Sequence, residues 1–195
     1  MMSGRSATLL STAAAAVLLA GCASAPSRFY ALTSTATADG AAAAPVAVIV
    51  GPVTVPAAVD RPELVVQAAP NRVDLDEFNR WAAPLSDAIA SVVAGDLTVL
   101  LASPDVATAP LANFRADYRV TINVQRFESL PGQSVLVDAV WAVHRIADGS
   151  TRSGRTTARE AVQGETYDAI AAAHSRALAQ LSGDIAAAIR AAATR

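Results

Sequence analysis

Residues 118–146, YRVTINVQRFESLPGQSVLVDAVWAVHRI, decide the fold of this 195-residue chain. Apolar and polar side chains alternate from Tyr118 to Gln125, which is the period of a strand with one buried face. Phe127 falls out of phase with this alternation, and this predicts a β-bulge immediately before it. Pro131-Gly132 makes a turn, and Val135–Ile146 is apolar on nearly both faces, as in a central strand. The stretch therefore predicts two long strands joined by a tight turn.

The chain after this pair of strands predicts one more strand and a long closing helix. Asp148-Gly149 is a turn signal, and Thr151–Val162 is a polar strand whose arginine-rich outward face suits a sheet edge. A helix is predicted from Thr166 to Ala193, with alanines that favour helix and allow close packing. Its apolar stripe consists of Ile170, Ala177, Leu178, Leu181, Ile185 and Ile189.

The chain before the two strands predicts a second amphipathic helix over residues 85–102, with Pro84 at its start. The other predicted segments are a strand at Arg28–Leu32, a surface loop at Thr33–Ala44, a hairpin made by Leu64–Ala68 and Arg72–Leu75, and a short helix from Asp76 through Trp81. Val46–Val55 is broken at Gly51-Pro52, which predicts either a strand with a bulge there or a strand followed by an edge continuation. Together these segments predict a single α/β domain over residues 28–195, with a mixed β-sheet covered by two long α-helices.

The first 21 residues have the pattern of a secretory signal. Arg5 is followed by an uncharged, Ala/Leu-rich stretch of about fourteen residues, which is shorter than the roughly 20 that a spanning helix needs. Leu19-Ala20-Gly21-Cys22 resembles a bacterial lipobox, in which the cysteine thiol receives a diacylglycerol group. We therefore predict a lipoprotein signal peptide at residues 1–21, lipidation of Cys22 with three acyl chains on the mature protein, and a short tether at residues 22–27. The alternative is an ordinary signal cleavage near Ala23–Ala25, which would discard the cysteine.

The composition excludes several classes of protein. The hydrophobic fraction of 53% owes nearly half its size to 47 alanines, so it does not indicate a membrane protein with several spans. All 15 basic residues are arginine, the net charge is −2, and no block of like charge is present, so we expect no nucleic-acid partner. The single cysteine rules out an intramolecular disulfide framework and a cysteine-based zinc site.

We find no motif that predicts catalysis. His144 lies in a predicted strand, and His174 lies on or near the apolar stripe of the last helix. At both positions we expect a structural histidine that is partly buried or has its hydrogen bonds satisfied, and not a ligand or a base. Asp74, Asp76 and Glu77 cluster before a predicted helix, where capping explains them better than a cation site does. The expectation is therefore a protein that is not an enzyme and has no metal and no cofactor.

Several motifs, in order along the chain, resemble those of the ABC-type transport auxiliary lipoproteins, the PqiC-like family. They are Cys22 in its lipobox, Arg28-Phe29-Tyr30-x-Leu32, Val50-Gly51-Pro52-Val53, Asp60-Arg61-Pro62, Glu77-Phe78-Asn79-Arg80-Trp81-Ala82-x-Pro84-Leu85, and Tyr118-Arg119-Val120 leading to Gln125-Arg126-Phe127. The resemblance implies an α/β sandwich and a role in a lipid transport system that spans the periplasm. Its expected partners are an MCE-domain periplasmic protein and an inner-membrane transporter.

The resemblance also implies a location and a contact region. Ala23 after the cysteine is not Asp, which by the sorting rule of Gram-negative lipoproteins implies a lipid anchor in the outer membrane, facing the periplasm. Phe78, Arg80 and Trp81 are the candidate partner-binding residues, with the alternative that Phe78 and Trp81 fill the core beneath the helix. Self-association is expected because MCE assemblies are oligomeric. The alternatives for function are a periplasmic lipid-binding shuttle and a structural lipoprotein that maintains envelope integrity.

Overall fold

The computed structural model describes residues 26–108 and 114–194. The chain forms eight strands and two helices in this part: β1 (Arg28–Tyr30), β2 (Val48–Thr54), β3 (Glu63–Ala69), β4 (Arg72–Trp81), α1 (Leu85–Leu101), β5 (Val106–Ala107), β6 (Tyr118–Leu130), β7 (Ser134–Arg145), β8 (Thr151–Ala161) and α2 (Tyr167–Ala193). The strands form two mixed sheets, one of three and one of five strands, and both helices pack against the larger sheet. The predicted α/β class with two long helices is confirmed.

The large sheet has the strand order β5-β2-β6-β7-β8. β2 runs parallel to β5 and β6, whereas β6, β7 and β8 form an antiparallel meander. The pairing of β6 with β7 shifts register between Val124 and Arg126, which confirms the predicted bulge, and β2 shifts register between Val50 and Val53. β7 is paired on both sides, and β8 lies at one edge of the sheet, as its polar sequence predicts.

The edge strand β8 packs closely against one aromatic side chain of β7. Gly154 lies opposite Trp141 in the register, and a Cβ atom at Gly154 would lie 2.3 Å from the Cζ2 atom of the indole. The indole Nε1 donates a hydrogen bond to Thr156 Oγ1 at 3.0 Å, and that hydroxyl donates to Asp184 on α2 at 2.5 Å. The missing side chain of Gly154 therefore gives the ring the room that lets β8 pair with β7.

Both helices lie on one face of the large sheet and against each other. α2 contacts β7 and β8, and α1 contacts β2 and β5. The apolar stripe predicted for each helix is buried. α2 begins with an N-cap at Thr166, whose side-chain oxygen accepts a hydrogen bond from the amide of Ala169. A leucine or isoleucine fully buried at this interface stabilises the fold by about 1.5–3 kcal/mol.

A buried carboxylate attaches the segment after β1 to the helices. Asp96 of α1 is fully buried and accepts hydrogen bonds from Ser34 Oγ at 2.6 Å, the amides of Thr35 and Ala36 at 3.0 and 2.9 Å, and Ser182 Oγ of α2 at 3.0 Å. Residues 33–44 have no regular secondary structure, as predicted, but their first part is held in place across both helices. We call residues 33–36 the strap.

The small sheet has the order β1-β4-β3. β3 and β4 form the predicted antiparallel hairpin, and β1 runs parallel to β4. The predicted short helix from Asp76 through Trp81 is wrong, because these residues belong to β4. The register passes from Leu64 opposite Asp76 to Glu63 opposite Arg80, so residues 77–79 have no partners on β3 and form a bulge.

The predicted signal peptide at residues 1–21, the lipidated Cys22 and the first part of the tether lie outside the described residues. Within residues 26–108 and 114–194, neither helix is both long enough and apolar enough to cross a membrane.

Candidate docking surface

The bulge of β4 is held by a network around Asp76. One carboxylate oxygen of Asp76 accepts the amides of Phe78 and Asn79 at 3.0 and 3.1 Å, and the other accepts Asn79 Nδ2 and Tyr167 Oη, both at 2.8 Å. Burial opposes the charge on Asp76, but these four hydrogen bonds outweigh it and lower the pKa of the carboxyl. Asp76 thus accepts amides as a helix N-cap does, yet the chain returns to strand because Arg80 and Trp81 pair with β1.

The same network joins three elements of the fold. Tyr30 of β1 donates its hydroxyl to Asn79 Oδ1 at 2.7 Å, and its ring lies 5.8 Å from the ring of Tyr167, the first residue of α2. Burial, followed by the hydrogen bond to Asp76, raises the pKa of Tyr167 to about 12. The hydroxyl of Tyr167 is therefore a donor at neutral pH and holds the start of α2 against the bulge.

The three predicted contact residues have different positions in the structure. Phe78 is exposed, with 41% of its surface accessible, and lies in the bulge. Arg80 is half-buried, donates from Nε to the Glu77 carbonyl at 2.9 Å and lies 3.4 Å from a carboxylate oxygen of Glu63. Trp81 is buried, so it fills the core, as the alternative prediction states for it. Phe78 does not fill the core.

Trp81 belongs to a buried aromatic cluster that includes one histidine. Its ring lies edge-on to Phe127 and His174, at centroid distances of 6.1 and 6.3 Å, and the rings of Phe127 and His174 stack at 3.8 Å. His174 Nε2 is 2.8 Å from Ser129 Oγ, whereas Nδ1 has no hydrogen-bond partner among the described residues. Burial lowers the pKa of His174 to about 3, so the ring is neutral at pH 7. The cluster supports the small sheet from beneath.

The other histidine and the acidic cluster have ordinary roles. His144 Nδ1 lies 3.0 Å from Thr151 Oγ1 across the β7–β8 pair. Asp74 lies 3.6 Å from the Arg72 guanidinium, and Asp76 caps the bulge. In the part of the chain that the structure describes, no group of three or more His, Cys, Asp and Glu side chains is placed to hold a metal ion.

The small sheet has two faces of different character. Tyr30, Leu64 and Trp81 are buried on the face toward the core. On the opposite face, which we call the outer face, the register places Phe29 beside Arg80, Arg80 beside Glu63, Val65 beside Leu75, and Gln67 beside Val73. Phe29, Val73 and Leu75 of this face are 66%, 55% and 46% exposed. The small sheet therefore presents a cluster of large apolar side chains to its surroundings.

An open groove of about 230 Å³ lies where the small sheet meets β6. Its lining comes from the outer face and from two neighbouring segments: Pro56, Ala58, Val59, Val65, Gln67, Val73 and residues 125–129. Sites that enclose a small ligand usually have about 300–1,000 Å³. The groove is smaller than that range, so we assign no ligand to it and regard it as a continuation of the outer face.

Some residues that matter here were not predicted from the sequence. The hairpin predicted from the sequence contains Val73 and Leu75, but their exposure depends on which face of the hairpin meets the core. Asp96 is another such residue, although its spacing from the apolar residues of the predicted helix does indicate burial. It follows Ile89, Val92 and Val93 at the i+7, i+4 and i+3 positions, so a carboxylate on the apolar stripe of a predicted helix had to be buried with partners.

Residues 30–186 match the family model described as the ABC-type transport auxiliary lipoprotein component. No curated protein sequence matches the chain significantly.

Two crystal structures share the fold. One, described as that of an uncharacterized protein, has 21% sequence identity and a TM-score of 0.69, and the match covers 85% of this chain and 99% of that one. The other, a Xanthomonas campestris protein of the DUF330 family, has 22% identity and a TM-score of 0.67, and the match covers 82% of this chain and 92% of that one.

Proposed function

Because the chain belongs to the family of ABC-type transport auxiliary lipoproteins, we propose that it is the outer-membrane docking component of an MCE/ABC-type system that moves lipid between membranes. The observation that carries this proposal is the family match over residues 30–186, in a chain whose lone cysteine follows residues that resemble a lipobox. The domain is held on the periplasmic side of the outer membrane and binds the end of an MCE-domain protein. That protein connects it to an inner-membrane transporter.

The first element of the proposal is the lipid anchor at Cys22. One acyl chain binds a membrane only marginally, whereas two or more hold a protein stably, so three chains fix the domain at the membrane. Cys22→Ala removes the attachment point and leaves the fold intact. The expected result is transfer of the protein from the membrane fraction to the soluble periplasmic fraction. A variant that still sediments with membranes would refute the anchor.

The second element is the membrane that holds the anchor. Ala23 in place of Asp after the cysteine supports sorting to the outer membrane. Separation of inner and outer membranes on a sucrose gradient tests this, with Ala23→Asp as the matched variant. We expect the wild-type protein with the outer membrane and the variant retained in the inner membrane. Recovery of the wild-type protein with the inner membrane would contradict the proposed location.

The third element is docking through the bulge of β4. Phe78 and Arg80 are accessible there, and the buried Trp81 supports the strand beneath them. We therefore propose Phe78 and Arg80 as contact residues and Trp81 as a supporting residue. A partner that covers Phe78 gains the burial of an aromatic ring, which is the kind of residue that dominates interface energies.

Co-purification with the MCE-domain protein tests this contact. Phe78→Ser is compared with Val99→Ser, because Val99 on α1 has the same exposed fraction, 41%, on a different element. We expect Phe78→Ser to lower the recovered partner at least about tenfold, as for the loss of an interface hot spot, and Val99→Ser to leave it unchanged. Equal recovery with both variants would remove Phe78 from the contact, and failure of the wild-type protein to recover any MCE partner would remove the docking role.

We also propose that the protein acts without catalysis and that copies of it associate. Ser129 and His174 form the only serine–histidine pair that we find at hydrogen-bond distance in the part of the chain that the structure describes. Both are buried, and the His174 Nδ1 atom that an orienting carboxylate would bind has no partner there. Self-association fits a partner that is itself oligomeric, and light scattering of the purified lipoprotein tests it. A monomer at all concentrations would contradict self-association.

A further inference from the structure

We propose that the outer face of the small sheet lies against the lipid bilayer that holds the anchor. This inference rests on lipidation of Cys22, which is part of the proposed function. It adds an orientation of the domain and names the residues that contact lipid, namely Phe29, Val73 and Leu75. Arg80 is not among them, because its Nε atom donates to the Glu77 carbonyl of the bulge, which leaves its side chain in the partner-binding region around Phe78.

The length of the chain before β1 carries the first step. Only five residues lie between Cys22 and Arg28, which makes six residue steps, and an extended chain covers at most about 3.6 Å per step, so β1 begins within roughly 20 Å of the lipidated residue. A folded domain of this size has a radius of gyration of about 16 Å and is roughly 40 Å across. The tether is thus too short to let the domain turn its far side to the bilayer, and the end that carries β1 remains next to the membrane.

The chemistry of the outer face carries the second step. Phe29 of β1 is the most exposed large apolar side chain among the described residues, and Val73 and Leu75 on the same face are about half exposed. Leu75 and Val73 lie in successive rows of the sheet, within roughly 15 Å of Phe29. The cluster therefore lies at the anchored end of the domain, and the surface that meets it there is lipid.

The charges of this face do not oppose contact with lipid. Arg80, beside Phe29 in the register, lies 3.4 Å from the Glu63 carboxylate, so these two charges of the outer face offset each other. Charged side chains that pair on the protein or reach outward let a neighbouring apolar surface enter the interfacial region. By comparison, the exposed Val140 on β7 stands alone between Asn123 and Arg155.

The experiment places a fluorescent label at single positions of the lipidated mature protein, reconstituted in phosphatidylethanolamine–phosphatidylglycerol vesicles. Cys22 is blocked by its lipid, so Phe29→Cys and Leu75→Cys each provide one free thiol for an environment-sensitive dye. Val140→Cys and Val99→Cys are the controls, because their exposed fractions, 40% and 41%, are close to the 46% of Leu75 while they lie on other elements. A spin-labelled lipid quenches dyes that touch the bilayer.

We expect a blue shift and quenching by the labelled lipid at positions 29 and 75, and neither effect at positions 140 and 99. In the non-lipidated Cys22→Ala chain, Phe29→Ser should lower the vesicle partition coefficient about tenfold or more, since it removes one buried aromatic ring from the bound state, while Val140→Ser leaves it unchanged.

Two results would overturn the orientation. If the lipidated protein sediments with vesicles but all four positions are equally quenched or equally unquenched, the anchor stands and the orientation is wrong. If the dyes at positions 29 and 75 shift to the blue only when the MCE partner is added, and the labelled lipid does not quench them, the outer face binds protein and not lipid. A lipidated protein that does not sediment with vesicles overturns the anchor and this inference together.

Discussion

Asp96→Ala will destabilise the protein because it removes a fully buried acceptor of four hydrogen bonds. The hydroxyls of Ser34 and Ser182 can turn to other acceptors, and Ser182 already lies 2.9 Å from the Leu178 carbonyl. The amides of Thr35 and Ala36 are fixed by the backbone and have no such choice. The loss therefore depends mainly on these two amides.

The size of the effect follows from the number of donors left without an acceptor. An unsatisfied buried donor costs about 1–3 kcal/mol, which gives about 2–6 kcal/mol for two amides. The strap lies at the protein surface, so its amides regain some water, and we expect a loss of about 2–4 kcal/mol in the free energy of unfolding. In a domain of this size 1 kcal/mol shifts the melting temperature by about 2–4 °C, so Tm should fall by roughly 5–15 °C.

Asp96→Asn is the matched control for charge. The asparagine carbonyl can still accept from the strap, and its amide can donate to the Ser182 hydroxyl, which both donates and accepts. We expect this variant to lose less than about 1.5 kcal/mol, the difference between a charged and a neutral acceptor.

Thermal unfolding and hydrogen exchange together measure these effects. In the wild-type protein the amides of Thr35 and Ala36 should be protected from exchange, and in Asp96→Ala they should exchange rapidly while the amides of β6 and β7 remain protected. Wild-type stability of Asp96→Ala, or rapid exchange at Thr35 and Ala36 in the wild-type protein, would refute the account of the strap.

Three other predictions test the core, the edge of the sheet and the surface of the bulge. Burial lowers the pKa of His174 to about 3, whereas an unfolded histidine protonates near 6.5, so between these pH values only the unfolded state binds the extra proton. The free energy of unfolding should therefore fall by about 1.4 kcal/mol per pH unit as the pH drops below about 6.5. Urea titrations at several pH values should show that His174→Gln lacks this part of the pH dependence. Gly154→Ala should lower the free energy of unfolding by about 1–3 kcal/mol, because the new methyl group meets the indole of Trp141. Gly183→Ala on α2 has free space around the new methyl group and should raise it by about 0.5–1 kcal/mol. Equal effects of the two variants on Tm would contradict this packing. Trp81→Ala should cost about 3–5 kcal/mol in urea unfolding and Phe78→Ala less than about 0.5, and a large loss for Phe78 would show that it is a core residue and not a surface one.

Most of the secondary structure could be predicted because its signals are local. The period-two alternation after Tyr118, the displaced phase of Phe127 and the helical spacing of the apolar residues in α1 and α2 each depend on a few neighbouring residues, and the structure confirms all of them. The segment after Asp76 was predicted wrongly for a physical reason. An aspartate that accepts the next amides is the local signal of a helix start, and here pairing with β1 and β3 keeps the same residues in a strand.

The candidate surface needed the tertiary structure. Phe78 and Trp81 are three residues apart and both aromatic, and nothing local distinguishes them; the bulge leaves Phe78 exposed, while the register with β1 turns Trp81 onto Phe127 and His174. The same register places Phe29, Leu75 and Val73 on one face. By itself the sequence determined the candidate lipidation site, the α/β class and the family resemblance, because motifs and periodicity are properties of contiguous residues. Which side chains meet the core and which meet the surroundings was decided only by the pairing of strands far apart in the chain, since burial is a property of the assembled sheet.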